Sequence, residues 1–130
     1  MKEPIRLMIK PRAAPRPRLG KNGAYNESWY TQYKKDIVIL IKQAKIPKGD
    51  YSQLYAIFGM PYPQVVKGGN KMKIEGLPHR IHSGDTDNIT KGLKDAIQNA
   101  GLVEDDCSIY LNCCSKLWTK TGGYIEFYLE

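Results

Sequence analysis

The chain has 130 residues, a hydrophobic fraction of 42% and a formal net charge of +7. That length accommodates one packed core and not two, so a single domain over residues 1–130 is expected. No apolar run approaches the roughly 18 residues of a membrane span and the N-terminus lacks the apolar centre of a signal peptide, which argues against a membrane partner and for a cytosolic protein.

The charge is unevenly spread. Residues 1–80 hold 16 Lys/Arg against 5 Asp/Glu, whereas residues 81–130 hold 4 against 8. A polyanion held by the basic part and presented to the acidic part suits that division, with nucleic acid the natural candidate. Cys107, Cys113 and Cys114 are odd in number and lack CxxC spacing, and His79 and His82 precede the second helix. No zinc is expected from this set, and the cysteines read as reduced thiols.

Ile5 to Lys10, "IRLMIK", alternates and opens like a strand. "PRAAPRPRLGKNGAYN" follows with three prolines and two glycines and is expected to be an irregular basic arm carrying Arg12, Arg16, Arg18 and Lys21. From Ser28, the residues Tyr30, Tyr33, Ile37, Leu40, Ile41 and Ala44 recur at helical spacing, with Ser28 or Asn26 as the cap and an end before Pro47. Tyr51 to Met60 is apolar on both faces and reads as a central strand. A long Pro-, Gly- and Lys-rich excursion follows, made cationic by Lys67, Lys71, Lys73 and Arg80.

A second helix is predicted from about Asp87 to Ala100, with Ile89, Leu93, Ala96, Ile97 and Ala100 on one stripe and Gly101 ending it. Two strands, about Ser108 to Trp118 and Tyr124 to Leu129, are expected to form a hairpin joined by "KTGG". The order β-α-β-α-β-β predicts an α+β domain with helices packed on one mixed sheet.

Within this basic chain, "GDTDNITKGLKDAIQNAGLVEDD" gathers Asp85, Asp87, Asp95, Glu104, Asp105 and Asp106. One aspartate suffices to cap the helix, and the second near its start asks for another role. A helix of about 14 residues is about 21 Å long, so Asp106 meets Asp85 and Asp87 only if the helix is short or tilted, the following loop folds back, or a dimer completes the site.

"DTDNITKGLKDAIQNAGLVEDDCSIY" resembles the signature of the RusA family of Holliday-junction resolvases. The likeness is carried by Asp85, Asp87, Asn88, Lys91, Asp95, Ala96, Gly101, Asp105 and Asp106 in register. It implies that Asp85, Asp87 and Asp106 are the essential, metal-holding acids and Lys91 the essential base-type residue. Asn88, Asp95 and Asp105 then support them. Gly84 departs from the proline often found before the first aspartate, which bears on the rigidity of the site's approach.

The chemistry agrees with these residue types. Phosphodiester hydrolysis requires an activated water and a stabilised leaving oxygen, and Mg²⁺, or Mn²⁺ in its place, held by a few carboxylates meets both needs. Lys91, one turn after Asp87, would offset charge on the phosphate; the plainer alternative is an i to i+4 ion pair with Asp87 or Asp95.

The expected activity is paired cutting of four-way, branched double-stranded DNA by a homodimer in a bacterial or phage-infected cell. Arg12, Arg16, Arg18, Lys21, Lys67, Lys71, Lys73 and Arg80 would hold phosphates, and Tyr25, Trp29 and Tyr62 read first as packing residues, with stacking on unpaired bases the alternative. A non-catalytic basic DNA-binding protein is the alternative, but it gains nothing from clustered aspartates near a phosphate backbone. A nucleotide-sugar transferase using D-x-D lacks a nucleotide-binding fold.

Overall fold

The computed structural model describes residues 1–16, 18–25, 27–63, 74–81 and 84–130, with only the backbone of Arg18, Ala24 and Tyr25. Lys67, Lys71, Lys73 and His82 lie outside the described residues, as does the side chain of Arg18.

Strands β1 (Ile5–Leu7), β4 (Gln53–Pro61), β5 (Leu111–Thr119) and β6 (Tyr124–Leu129) form one mixed sheet in the order β1-β6-β4-β5. Helices α1 (Ser28–Gln43) and α2 (Thr86–Asn99) pack on it, giving the expected α+β architecture. Two short strands, β2 (Arg18–Gly20) and β3 (Gly23–Tyr25), stand apart as a hairpin.

β4 lies inside the sheet, with its Leu54, Ala56, Phe58 and Met60 face buried and its Tyr55 and Ile57 face half-buried. Leu54, Ala56, Phe58 and Met60 alternate into the core, where Ile125, Phe127 and Leu129 of β6 join them. From above come Tyr30, Tyr33, Ile37 and Ile41 of α1 and Ile89, Leu93, Ala96 and Ile97 of α2, each at helical spacing. Each large apolar side chain buried here contributes about 1.5–3 kcal/mol from transfer alone.

Three local expectations are corrected. The arm is not irregular throughout: Pro17 is its last proline, and Arg18–Gly20 pairs with Gly23–Tyr25 around Lys21 and Asn22. Gly23, at φ 103°, takes the left-handed conformation that this reversal needs. At α1 Ser28 is not the cap, and Asn26 lies outside the described residues. Ser28 is already helical, and Glu27 is the N-cap residue, without a side-chain capping bond; its carbonyl receives the Tyr30 and Thr31 N–H groups.

The third correction is topological. β5 and β6 do not pair with each other, because β4 lies between them, parallel to β5 and antiparallel to β6. The link Lys120–Gly123 crosses the end of β4. Spanning two interstrand spacings of about 4.8 Å is within reach of four extended residues at about 3.3 Å each. The consequence is a β4-α2-β5 crossover that lays α2 over the sheet beside its β5 edge.

Candidate active site

α2 begins at a cap that uses Asp85. Its backbone is extended, and its Oδ1 accepts the Asn88 N–H at 2.9 Å, a bond worth about 1 kcal/mol to the helix. The residue before it, Gly84, has φ 99°, and a Cβ there would lie 2.4 Å from the Ala13 Cβ. Glycine is therefore required by both backbone and space. The Gly84 carbonyl accepts a bond from Lys116 Nζ at 2.8 Å, which ties this approach to β5. The basic arm is tied to the same place: Ala14 N–H donates to the Asn88 carbonyl at 3.1 Å, and Arg12 N–H to the Tyr33 hydroxyl at 3.1 Å.

From the cap, α2 presents Asp87, Lys91 and Lys94 along one side, spaced three and four residues apart. Together with Thr86 and Thr90 they form one wall of a cavity of about 300 Å³. Asn112 and Cys114 of β5 form the other wall, and Asp106 also lines it.

Asp106 arrives because the chain folds back after α2. Leu102 N–H bonds to the Ile97 carbonyl at 3.2 Å, Gln98 Nε2 to the Glu104 carbonyl at 3.3 Å, and Leu102 and Val103 are buried. Of the three ways of joining the helix ends, the folded loop is the one present within a single chain.

Asp105 caps the 3₁₀ turn Asp106–Ser108 by accepting the Cys107 N–H at 3.0 Å. That bond, with help from Asp106, holds the Asp105 carboxyl below the usual carboxylate range. Ligand atoms of Asp105, Asp106 and Cys107 lie within 4.8 Å of one another. The bond to Asp105, followed by the charges of Asp105 and Asp106, pushes the Cys107 thiol up, and burial pushes up that of Cys114. This close group is two carboxylates beside a neutral thiol, which suits a hard divalent cation better than zinc; Asp85 and Asp87 are not part of it, and of the two only Asp87 shares the cavity with Asp106.

The predicted site residues thus separate. Asp87, Lys91 and Asp106 share the cavity, whereas Asp85 stands at its end as the cap and Asn88 serves through its backbone. Asp95 turns away and pairs with Lys34 of α1 at 3.3 Å. Among the described residues Lys91 forms no ion pair, so the plain i to i+4 salt bridge is not made.

Of the basic positions, Arg12, Arg16, Lys21 and Arg80 are exposed, and the Arg12 guanidinium also lies over the Trp29 ring at 3.9 Å. Trp29 packs against the core, and the Tyr62 hydroxyl donates to Glu75 at 2.9 Å, so both have structural partners already. Lys94, Asn112, Cys114 and Lys116 were not anticipated. Lys94 could have been found from its helical spacing to Lys91, but the other three depend on where β5 lies.

The chain matches the family described as Endodeoxyribonuclease RusA over residues 8–128. It belongs to the RusA endodeoxyribonuclease family. RusA nucleases are metal-dependent Holliday junction resolvases, and the activity of this member is endonucleolytic cutting of branched DNA. No individual curated protein matches it. Among the described residues no helix is long and apolar enough to cross a membrane.

Proposed function

We propose that the cavity between α2 and β5 is the cutting site, with Asp85, Asp87 and Asp106 as the acids that hold Mg²⁺ and Lys91 as the cation facing the scissile phosphate. The observation that carries this reading is the convergence of Asp87, Lys91 and Asp106 on one cavity from two separate segments, with the Lys91 ammonium unpaired among the described residues.

A divalent cation held by these carboxylates supplies Lewis acidity for the attack of water on phosphorus. The chain's own groups do the rest. Lys91 and Lys94 offset phosphate charge, and the Asn112 amide is positioned to orient a phosphate oxygen or water. Lys116 fixes the carbonyl of Gly84, and with it the approach of Asp85. Arg12, Arg16 and Lys21 extend from the arm whose Ala14 is bonded to α2, so phosphates bound there lie beside the cut. Arg80 is exposed and adds to this basic surface, and Lys67, Lys71 and Lys73, which lie outside the described residues, are proposed as further phosphate contacts. Symmetric cutting of a four-way junction needs two such sites, and the active species is a homodimer.

The test is incubation with a labelled four-way junction, a linear duplex and a single strand, in Mg²⁺, Mn²⁺ or EDTA. Paired nicks in the junction alone, lost in EDTA, are expected. Equal cutting of linear duplex would overturn the junction selectivity, and cutting in EDTA would overturn the metal.

A further inference from the structure

The two edges of the sheet end differently. β1 is three residues long, carries Arg6 and follows Pro4, the short charged edge that resists a further strand. β5 is nine residues long, and its stretch Leu111–Ser115 contains neither charge nor proline.

The far half of β5 is covered. Trp118 N–H donates to the Leu77 carbonyl at 2.9 Å and His79 N–H to the Lys116 carbonyl at 3.0 Å, around the bridge between Pro78 and Leu117. Those bonds reveal the facing of the whole edge, because successive residues of a strand turn their backbone groups to opposite sides. Lys116 and Trp118 face outward, hence so do Asn112 and Cys114. Among the described residues no backbone bond reaches the outward groups of these two. Tyr110 bounds this stretch, since its N–H is turned to the Ser52 carbonyl at 2.9 Å.

We propose that this edge pairs antiparallel with the same edge of a second copy, about a two-fold axis through Cys113. The inference rests on the homodimer reading above and adds where the copies meet. Its register follows from the bonds already made. Centred on Cys113, Asn112 exchanges both backbone bonds with Cys114 of the partner subunit, and Cys114 with Asn112 of the partner subunit. Centring on Cys114 sets Asn112 against Lys116, whose carbonyl already receives His79. Centring on Asn112 sets Cys114 against Tyr110, whose N–H is turned inward.

In that register the two Cys113 residues oppose each other as a non-hydrogen-bonded pair, with Cα atoms about 4.5 Å apart. That lies within the roughly 4.4–6.8 Å a disulfide tolerates. An axis perpendicular to the sheet keeps both cavities on one face of a continuous sheet, each with Asn112 and Cys114 on its wall. Two cutting sites then flank the axis of a two-fold junction.

The test uses the full chain: sedimentation under reducing conditions, then diamide oxidation and electrophoresis without reductant. A covalent dimer is expected, lost in Cys113→Ser and kept in the double variant Cys107→Ser/Cys114→Ser. Cys113→Asp, which opposes two carboxylates, should raise the dimer dissociation constant at least about tenfold with the far-ultraviolet circular dichroism unchanged. A reduced dimer that does not cross-link through Cys113 and is indifferent to Cys113→Asp overturns this interface and leaves the paired-cut reading standing. A chain that stays monomeric even on junction DNA overturns both.

Discussion

Lys34 of α1 holds Asp95 of α2 at 3.3 Å, and this bond between helices withdraws Asp95 from the partners open to Lys91. Both side chains are partly buried, so the pair fastens α1 to α2, while one turn earlier Lys91 remains turned to the cavity. Lys91→Ala should therefore leave the melting temperature nearly unchanged and slow single-turnover cutting by about two to three orders of magnitude, the usual loss for one transition-state donor. Lys91→Arg should restore part of the rate, because its charge is retained but displaced. Near-wild-type cutting by Lys91→Ala under saturating enzyme would remove it from the chemistry.

Asp85 has a capping role that must be separated from metal binding. Asparagine caps a helix as well as aspartate does, so Asp85→Asn should retain stability and lose cutting, whereas Asp85→Ala should lose about 1 kcal/mol as well. Asp87→Asn and Asp106→Asn should abolish cutting and leave junction binding intact or tighter, since a carboxylate near phosphate has been neutralised. Asp105→Asn is the control and should retain far more activity. The measurements are denaturant melts beside junction cleavage and gel-shift binding.

The arm arginines should differ. Arg16 is exposed, and Arg16→Ala should reduce the slope of log K against log salt by about 0.9. Arg12 lies over Trp29, and Arg12→Ala should change that slope less while also lowering stability, by about 0.5–1 kcal/mol for the lost ring contact. Equal slopes for both variants and the wild type would mean that the arm does not touch DNA.

Tyr30 carries an unusual cost. Among the described residues its hydroxyl is buried without a hydrogen-bond partner; it faces Gly92 of α2, and its pKa is pushed up to about 12 by burial, then by Asp95 and Tyr33. Tyr30→Phe removes the unsatisfied group and keeps the ring, and should stabilise the chain by about 1 kcal/mol, seen as a higher denaturation midpoint with unchanged m-value. A loss of stability would indicate that the hydroxyl is bonded in solution.

The residue pattern alone determined both helices, the central strand and the acidic motif, because these are written in local spacing: a stripe at 3.6 residues, alternation at two, aspartates at fixed offsets. It also carried the family likeness, which lies in a single uninterrupted segment. Other features were decided only in three dimensions. "KTGG" looks the same whether its strands pair or straddle β4, since a short link can satisfy either arrangement. The prolines concealed the small hairpin that follows them. Asp106 reaches the cavity because Leu102 and Val103 are buried and draw the loop back, and Lys116 meets Gly84 because β5 runs beside α2. Those contacts join residues far apart in the chain, where no periodicity reports them and only the packing of the sheet brings them together.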